Sequence, residues 1–165
     1  FHQNDSVSVS FPKIDFEKVK EIGINLLLFY TGKTRQASGI LSEQRKNIVD
    51  TTAILQKMRD QSYEVLHALE KGNINFLGEA LDYGWELKKK LAGGITNPEI
   101  DLMYKKAKKA GAVGGKIAGA GGGGFMLLFI PLEKQTSVRG ELSDYREMQF
   151  QLERDGSKSI FNIRR

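Results

Sequence analysis

The sequence predicts an α+β fold, a mostly antiparallel sheet with helices packed on one face. Three observations predict it. Short apolar or alternating runs of strand length lie near the start of the chain, at Ile22–Tyr30, at Phe125–Ile130 and near its end. Between the second and third of these, apolar residues recur at helical spacing in successive segments. Gly72, Gly93-Gly94, Gly111 and Pro131 punctuate the segments. The order that results is β-β-α-α-α-β-α-β-β.

In chain order, Val7, Val9 and Phe11 alternate with Ser6, Ser8 and Ser10, the period of two expected of a strand. Ile22 to Tyr30 is apolar except for Gly23 and Asn25, short enough for a strand buried on both faces. Thr31-Gly32-Lys33-Thr34-Arg35-Gln36-Ala37-Ser38 then reads as a loop turning into a helix. From Ser42 to Lys71 the apolar positions Ile48, Leu55, Met58, Leu66 and Leu69 keep helical spacing, with a break expected near Asp60-Gln61. Gly72 suits the residue just past that helix.

The next helix carries Ile74, Leu77, Leu81, Trp85, Lys88 and Leu91 on one stripe and ends at Gly93-Gly94. A further helix starts with Asn97 as cap, Pro98 at the first helical position and Glu99 complementing the dipole. Ile100, Met103, Tyr104 and Ala107 form its buried side, and Gly111 stops it. A glycine loop over Gly114–Gly124 leads into the strand Phe125–Ile130, which Pro131 ends. A short helix around Gln135–Tyr145 follows. Met148, Phe150 and Leu152 then alternate ahead of Asp155-Gly156, which predicts a closing hairpin.

At 165 residues the chain can bury one sizeable core. Its 40% hydrophobic and 27% charged composition is that of a globular protein. No apolar run approaches the roughly 20 residues of a membrane span, and no signal-peptide pattern opens the sequence, so no membrane partner is expected. The absence of cysteine excludes disulfides, thiolate chemistry and Cys-based metal sites, and fits a cytoplasmic protein. The net charge of +5 is concentrated in Lys88-Lys89-Lys90, Lys105-Lys106, Lys108-Lys109 and Arg164-Arg165. Such a balance favours anionic partners. These clusters lack the interleaved aromatics that stack on bases, so they read as solvated lysine faces and no nucleic acid is expected. Opening at Phe1 inside an apparent strand, the chain reads as a fragment.

The most informative segment is Gly114-Gly115-Lys116-Ile117-Ala118-Gly119-Ala120-Gly121-Gly122-Gly123-Gly124. Its formal G-x-G-x-x-G match falls at Gly119, Gly121 and Gly124. A dinucleotide fingerprint follows a strand and opens a helix, whereas here a helix leads in and a strand leads out. Gly32-Lys33-Thr34 resembles the tail of a P-loop, but Leu27 stands where the first glycine belongs. Gly115-Lys116 is followed by Ile117 instead of a hydroxyl residue. What survives is a backbone loop able to approach a phosphate or a substrate, weighed against a plain connection in which glycine permits close packing. Thr31, Thr34, Arg35 and Ser38 place hydroxyls and a guanidinium at a strand end and helix start, where Arg35 could grip a phosphate and the hydroxyls hold sugar oxygens. The bland alternative is helix capping and a surface arginine. His67 and His2 have no second ligand at metal spacing, Trp85 and Tyr83 read as core or interface residues, and no catalytic triad or carboxylate pair stands out.

Lys116–Gly124 resembles the C-terminal glycine motif of the GHMP small-molecule kinases, among them the galactose, homoserine, mevalonate and phosphomevalonate kinases. Leu28–Ser38, with its T-G-x-T-R-x-A-S pattern, resembles the sugar-kinase branch that phosphorylates D-glycero-D-manno-heptose 7-phosphate at its anomeric hydroxyl. Many members place cysteine after the last glycine, where this chain has Phe125. The resemblance implies a ferredoxin-like C-terminal domain over residues 21–165, preceded in 1–20 by the last strand and linker of an N-terminal domain. It implies ATP and Mg2+ as cofactors. It also places the serine-rich phosphate loop, the magnesium ligands and the aspartate thought to act as base in that N-terminal half, so no catalytic or metal-binding residue is expected in this chain. The substrate and phosphate contacts it implies here are Thr31, Arg35, Ser38, Gly119, Ala120, Gly121, Gly122 and Gly123. The partners are then a sugar phosphate, ATP and the N-terminal domain, and the chain alone is expected to have negligible kinase activity. An L-fucose or other hexose kinase, or a non-catalytic metabolite-binding module of the same superfamily, stays open, as do the anomer and the oligomeric state.

Overall fold

A computed structural model describes residues 2, 4–9, 11–34 and 37–153. The chain runs α1 (Phe16–Asn25), β1 (Leu26–Tyr30), α2 (Ala37–Lys46), α3 (Thr52–Glu70), α4 (Asn75–Lys89), α5 (Pro98–Ala110), β2 (Gly114–Ile117), β3 (Phe125–Phe129), α6 (Gln135–Glu141) and β4 (Glu147–Met148), with a 3-10 turn at Leu132–Lys134. The four strands lie in the order β2-β3-β1-β4 and every pair is antiparallel. This is the ferredoxin-like split β-α-β arrangement. The α+β class expected from the sequence is the one observed.

Strand side chains alternate between the faces of the sheet. Leu27, Phe29, Ile117, Met126 and Leu128 enter the main core with Trp85, Ile95, Ile100, Met103, Ala107, Val138 and Leu142. Leu26 and Phe129 point to the other face, where Ile22 and Ile74 close one end of it. The α4–β2 contact is a backbone approach. A Cβ on Gly114 would lie 2.0 Å from the Gly78 carbonyl oxygen, and one on Gly78 would lie 2.8 Å from Phe129 and Val113 atoms. Asp82 then ties α4 to α5, accepting from the Tyr104 hydroxyl at 2.5 Å and pairing with the Lys108 ammonium at 2.8 Å.

Several elements depart from expectation. Residues 6–9 are not a strand, and Val7, Val9 and Phe11 are exposed. Alternation alone makes no strand without a neighbour to complete the ladder. The apolar run from Ile22 is divided: Ile22–Asn25 finish α1, and only Leu26–Tyr30 are strand. The break in the long helical segment falls at 47–51, not at Asp60-Gln61, which lie inside α3. Thr51 there donates its hydroxyl to the Asn47 carbonyl at 2.8 Å, and Asn47 donates to the Leu91 carbonyl at 3.1 Å. Gly114–Ile117 is strand β2, not loop. Of the closing hairpin, Glu147–Met148 pair with β1, while Asp155-Gly156 lie outside the described residues.

Candidate functional site

Between β2 and β3 the glycine loop is a turn held from behind. The Ala118 N–H donates to the Phe125 carbonyl at 2.8 Å and closes it. Gly122 N–H donates to the Ile95 carbonyl and Gly124 N–H to the Lys33 carbonyl, each at 2.7 Å. The Gly124 carbonyl accepts from both the Thr31 N–H at 2.9 Å and the Thr31 hydroxyl at 3.0 Å. Asn97 donates its amide to the Gly122 carbonyl at 3.4 Å, and the Lys88 ammonium donates to the Gly119 carbonyl. The loop is thereby fastened to the end of β1, to the α4–α5 connection and to the last turn of α4.

Glycine is demanded here by geometry. Gly119, Gly121, Gly122 and Gly124 have φ of 90°, 116°, 75° and 88°, in the left-handed region that L side chains rarely adopt. A Cβ on Gly121 or Gly123 would also lie 2.8 Å from the carbonyl oxygen of Ile95 or Lys33. Gly119 is different, because nothing stands within 4 Å of its would-be Cβ. Gly119 is exposed, and Ala120 and Gly121 are half-buried. Among the described residues, the N–H groups of these three donate to no other backbone group. Close packing therefore explains part of the run, and its apex presents unspent backbone donors.

Of the residues expected to meet a substrate, Thr31 is brought to the loop, but it is buried and its hydroxyl is turned to Gly124. Ser38 is exposed in the first turn of α2. Arg35 lies outside the described residues. Trp85 is fully buried as expected, with its indole N–H lacking a partner among the described residues, whereas Tyr83 is half exposed. His67 and His2 are exposed, and His2 reaches Ser8 at 2.8 Å.

The sequence reading missed Lys88. It was grouped with Lys89 and Lys90 as a solvated face, yet Lys88 is half-buried and Lys89 pairs with Glu86 at 2.6 Å. Its place on the apolar stripe of α4 was the available signal. Burial, followed by the charge of Lys116, pushes the Lys88 ammonium down to about 8. For Asp82, burial pushes the carboxyl up, but hydrogen bonds from Lys108 and Tyr104 and the nearby ammonium charges outweigh it and hold it below the usual range. Burial, then the bond to Asp82, pushes the Tyr104 hydroxyl well above its ordinary value. Among the described residues no group of three or more His, Cys, Asp or Glu side chains is placed to hold a metal ion. No described helix is long and apolar enough to cross a membrane.

Residues 65–146 match the family model described as GHMP kinases C terminal. Over 163 residues the chain is 27% identical to the D-glycero-alpha-D-manno-heptose 7-phosphate kinase of Campylobacter jejuni, covering 96% of this chain and 48% of that protein. It is 30% identical over 117 residues to the L-fucokinase/L-fucose-1-P guanylyltransferase of Bacteroides fragilis, covering 68% of this chain and 12% of that protein. In structure it resembles the crystal structure of a D-glycero-D-manno-heptose 1-phosphate kinase from Bacteroides thetaiotaomicron, with a TM-score of 0.60 and 24% identity over 90% of this chain and 39% of that one. That last likeness bears on the fold. The chain spans about half the length of the first relative or less of the others.

Proposed function

Because residues 65–146 belong to the GHMP kinase C-terminal family, we propose that this chain is the C-terminal part of an ATP-dependent kinase transferring the γ-phosphoryl group to the anomeric hydroxyl of D-glycero-D-manno-heptose 7-phosphate. An N-terminal domain then supplies the nucleotide loop, the Mg2+ ligands and the base, and residues ahead of α1 lead out of it. The substrate pair puts the enzyme in the cytoplasm. The observation that carries the reading is the apex Gly119-Ala120-Gly121, whose backbone donors are unspent among the described residues while Ala118, Gly122 and Gly124 fasten the loop on either side.

Phosphoryl transfer depends on positioning and on stabilising charge spread over the transferring oxygens. Fixed N–H dipoles do this without reorganising during the step. Here Ile95, Lys33, Thr31 and Asn97 hold the loop's shape, so the apex donors are set before substrate arrives. Thr31 contributes through the Gly124 carbonyl, and in this reading Arg35 and Ser38 orient the sugar phosphate. Mg2+, held by the N-terminal domain in this reading, would supply charge neutralisation when bound.

Support for heptose over other sugars is the likeness to the Campylobacter jejuni kinase along 96% of the chain. L-fucose is the second reading, favoured by the 30% identity to the Bacteroides fragilis enzyme. A panel of sugars and sugar phosphates with ATP, run on this chain joined to a GHMP N-terminal domain, separates them. Preferred turnover of heptose 7-phosphate is expected. Preference for a sugar lacking the distal phosphate would overturn the assignment.

A further inference from the structure

Beside the glycine loop, a cavity of about 280 Å3 opens between α3 and α4. Lys88 of α4 and Lys116 of β2 both line it, in a wall that is otherwise mostly apolar (Met58, Val65, Leu77 and Leu81 among others) and holds no carboxylate. The charge of Lys116 disfavours the charged form of Lys88, and among the described residues neither side chain forms an ion pair. Lys88 spends one donor on the Gly119 carbonyl, leaving two of the three on its ammonium. Gln61 and Ser62, also in the lining, donate to the Ala80 and Arg59 carbonyls and, being neutral, do not cancel the two charges.

Lysine stems often lie along apolar helix surface while the head reaches water. That explains Lys88 alone, and it does not explain a second lysine brought to the same cavity. Two like charges, one of them half-buried, destabilise the empty protein unless something negative joins them. From this juxtaposition we propose that Lys88 and Lys116 form an anion site that takes a phosphoryl group in the α3–α4 cavity. A dianion there would bridge both ammonium groups and, through Lys88, tighten the hold on Gly119. Occupancy of this site would therefore set the apex of the glycine loop. The source of the phosphoryl group, sugar phosphate or nucleotide, rests on the kinase reading, but anion binding itself does not.

The test is a calorimetric titration of the chain with inorganic phosphate near pH 7, comparing Lys88→Met, Lys116→Met and the exposed-lysine control Lys105→Met. Each site variant is expected to bind about tenfold more weakly, the loss of a charge-assisted contact, with the control unchanged. Among the described residues the Lys116 side chain makes no hydrogen bond, and its backbone pairing in β2 survives substitution, so Lys116→Met reads the anion contact without disturbing the loop. By NMR, phosphate should also raise the Lys88 ammonium from about 8 toward its ordinary value, a response that a merely structural lysine would not give. Absence of phosphate binding at millimolar concentration, or equal binding by all variants, overturns the site. Titrations with heptose 7-phosphate and with a non-hydrolysable ATP analogue then identify the source, by which ligand loses affinity in the variants. Retained phosphate binding in a protein without kinase activity on any panel sugar would sink the kinase reading and leave this site standing.

Discussion

At the scale of single residues, glycines of the loop have different reasons to be glycine, and substitution separates them. Gly121 combines a φ of 116° with a Cβ position 2.8 Å from the Ile95 carbonyl oxygen. Gly121→Ala is expected to cost about 2–4 kcal/mol in urea denaturation, from strain plus the displaced α4–α5 connection. Gly119 has a φ of 90° but open space around it, so Gly119→Ala is expected to cost only about 1–2 kcal/mol. Equal costs would mean that the apex is packed as tightly as the base of the loop. The sequence made the glycine density visible but could not divide it between packing and function, because that division depends on Ile95 and Lys33, far off in the chain. Lys88 was hidden for a related reason. A charge run looks solvated until the facing strand supplies Lys116.

Among the elements, α5 was legible to the residue and α1 was not. Asn97 accepts from the N–H groups of Glu99 at 3.1 Å and Ile100 at 3.0 Å, and Gly111 closes the helix at a φ of 119°. All four residues expected on its buried side are buried. Caps and stripes are local signals, so sequence carries them whole. The helix α1 and strand β1 share one apolar run, and periodicity in so short a stretch does not separate the two. Gly114 and Gly115 read as part of the glycine loop in the sequence, yet they are strand, and Gly114 is where α4 lies against the sheet backbone. The cap on α5 also links scales, since Asn97 donates to Gly122. Asn97→Ala should therefore cost about 1–2 kcal/mol, as a lost N-cap does, and should in addition loosen the loop to which Lys88 is bonded and so weaken phosphate binding. Thermal denaturation with and without phosphate measures both. A stability loss with unchanged phosphate affinity would show that the helix does not steady the loop.

On the scale of the whole molecule, the chain has a core of its own and part of a site. Trp85, Phe29, Phe129, Met103, Met126 and Leu128 are all essentially sealed from water. On the second face of the sheet Ile22, Leu26, Ile74 and Phe129 are buried, with Leu69, Leu77 and Leu81 packed against them. Tyr30 and Phe125 pack with ring centroids 5.4 Å apart and stay half-buried, next to the glycine loop. A core of this extent should unfold cooperatively without help. Phosphoryl transfer asks for more than the loop donors, because the nucleotide and the attacking hydroxyl must also be aligned and their charge met. The 165-residue chain alone should thus show a single urea transition and bind phosphate, while turnover of ATP with heptose 7-phosphate stays at background. Joining it to a GHMP N-terminal domain should raise that rate by orders of magnitude. Comparable turnover with and without the added domain would mean that the described half of the site is catalytically sufficient, and the division of labour proposed for it would fall.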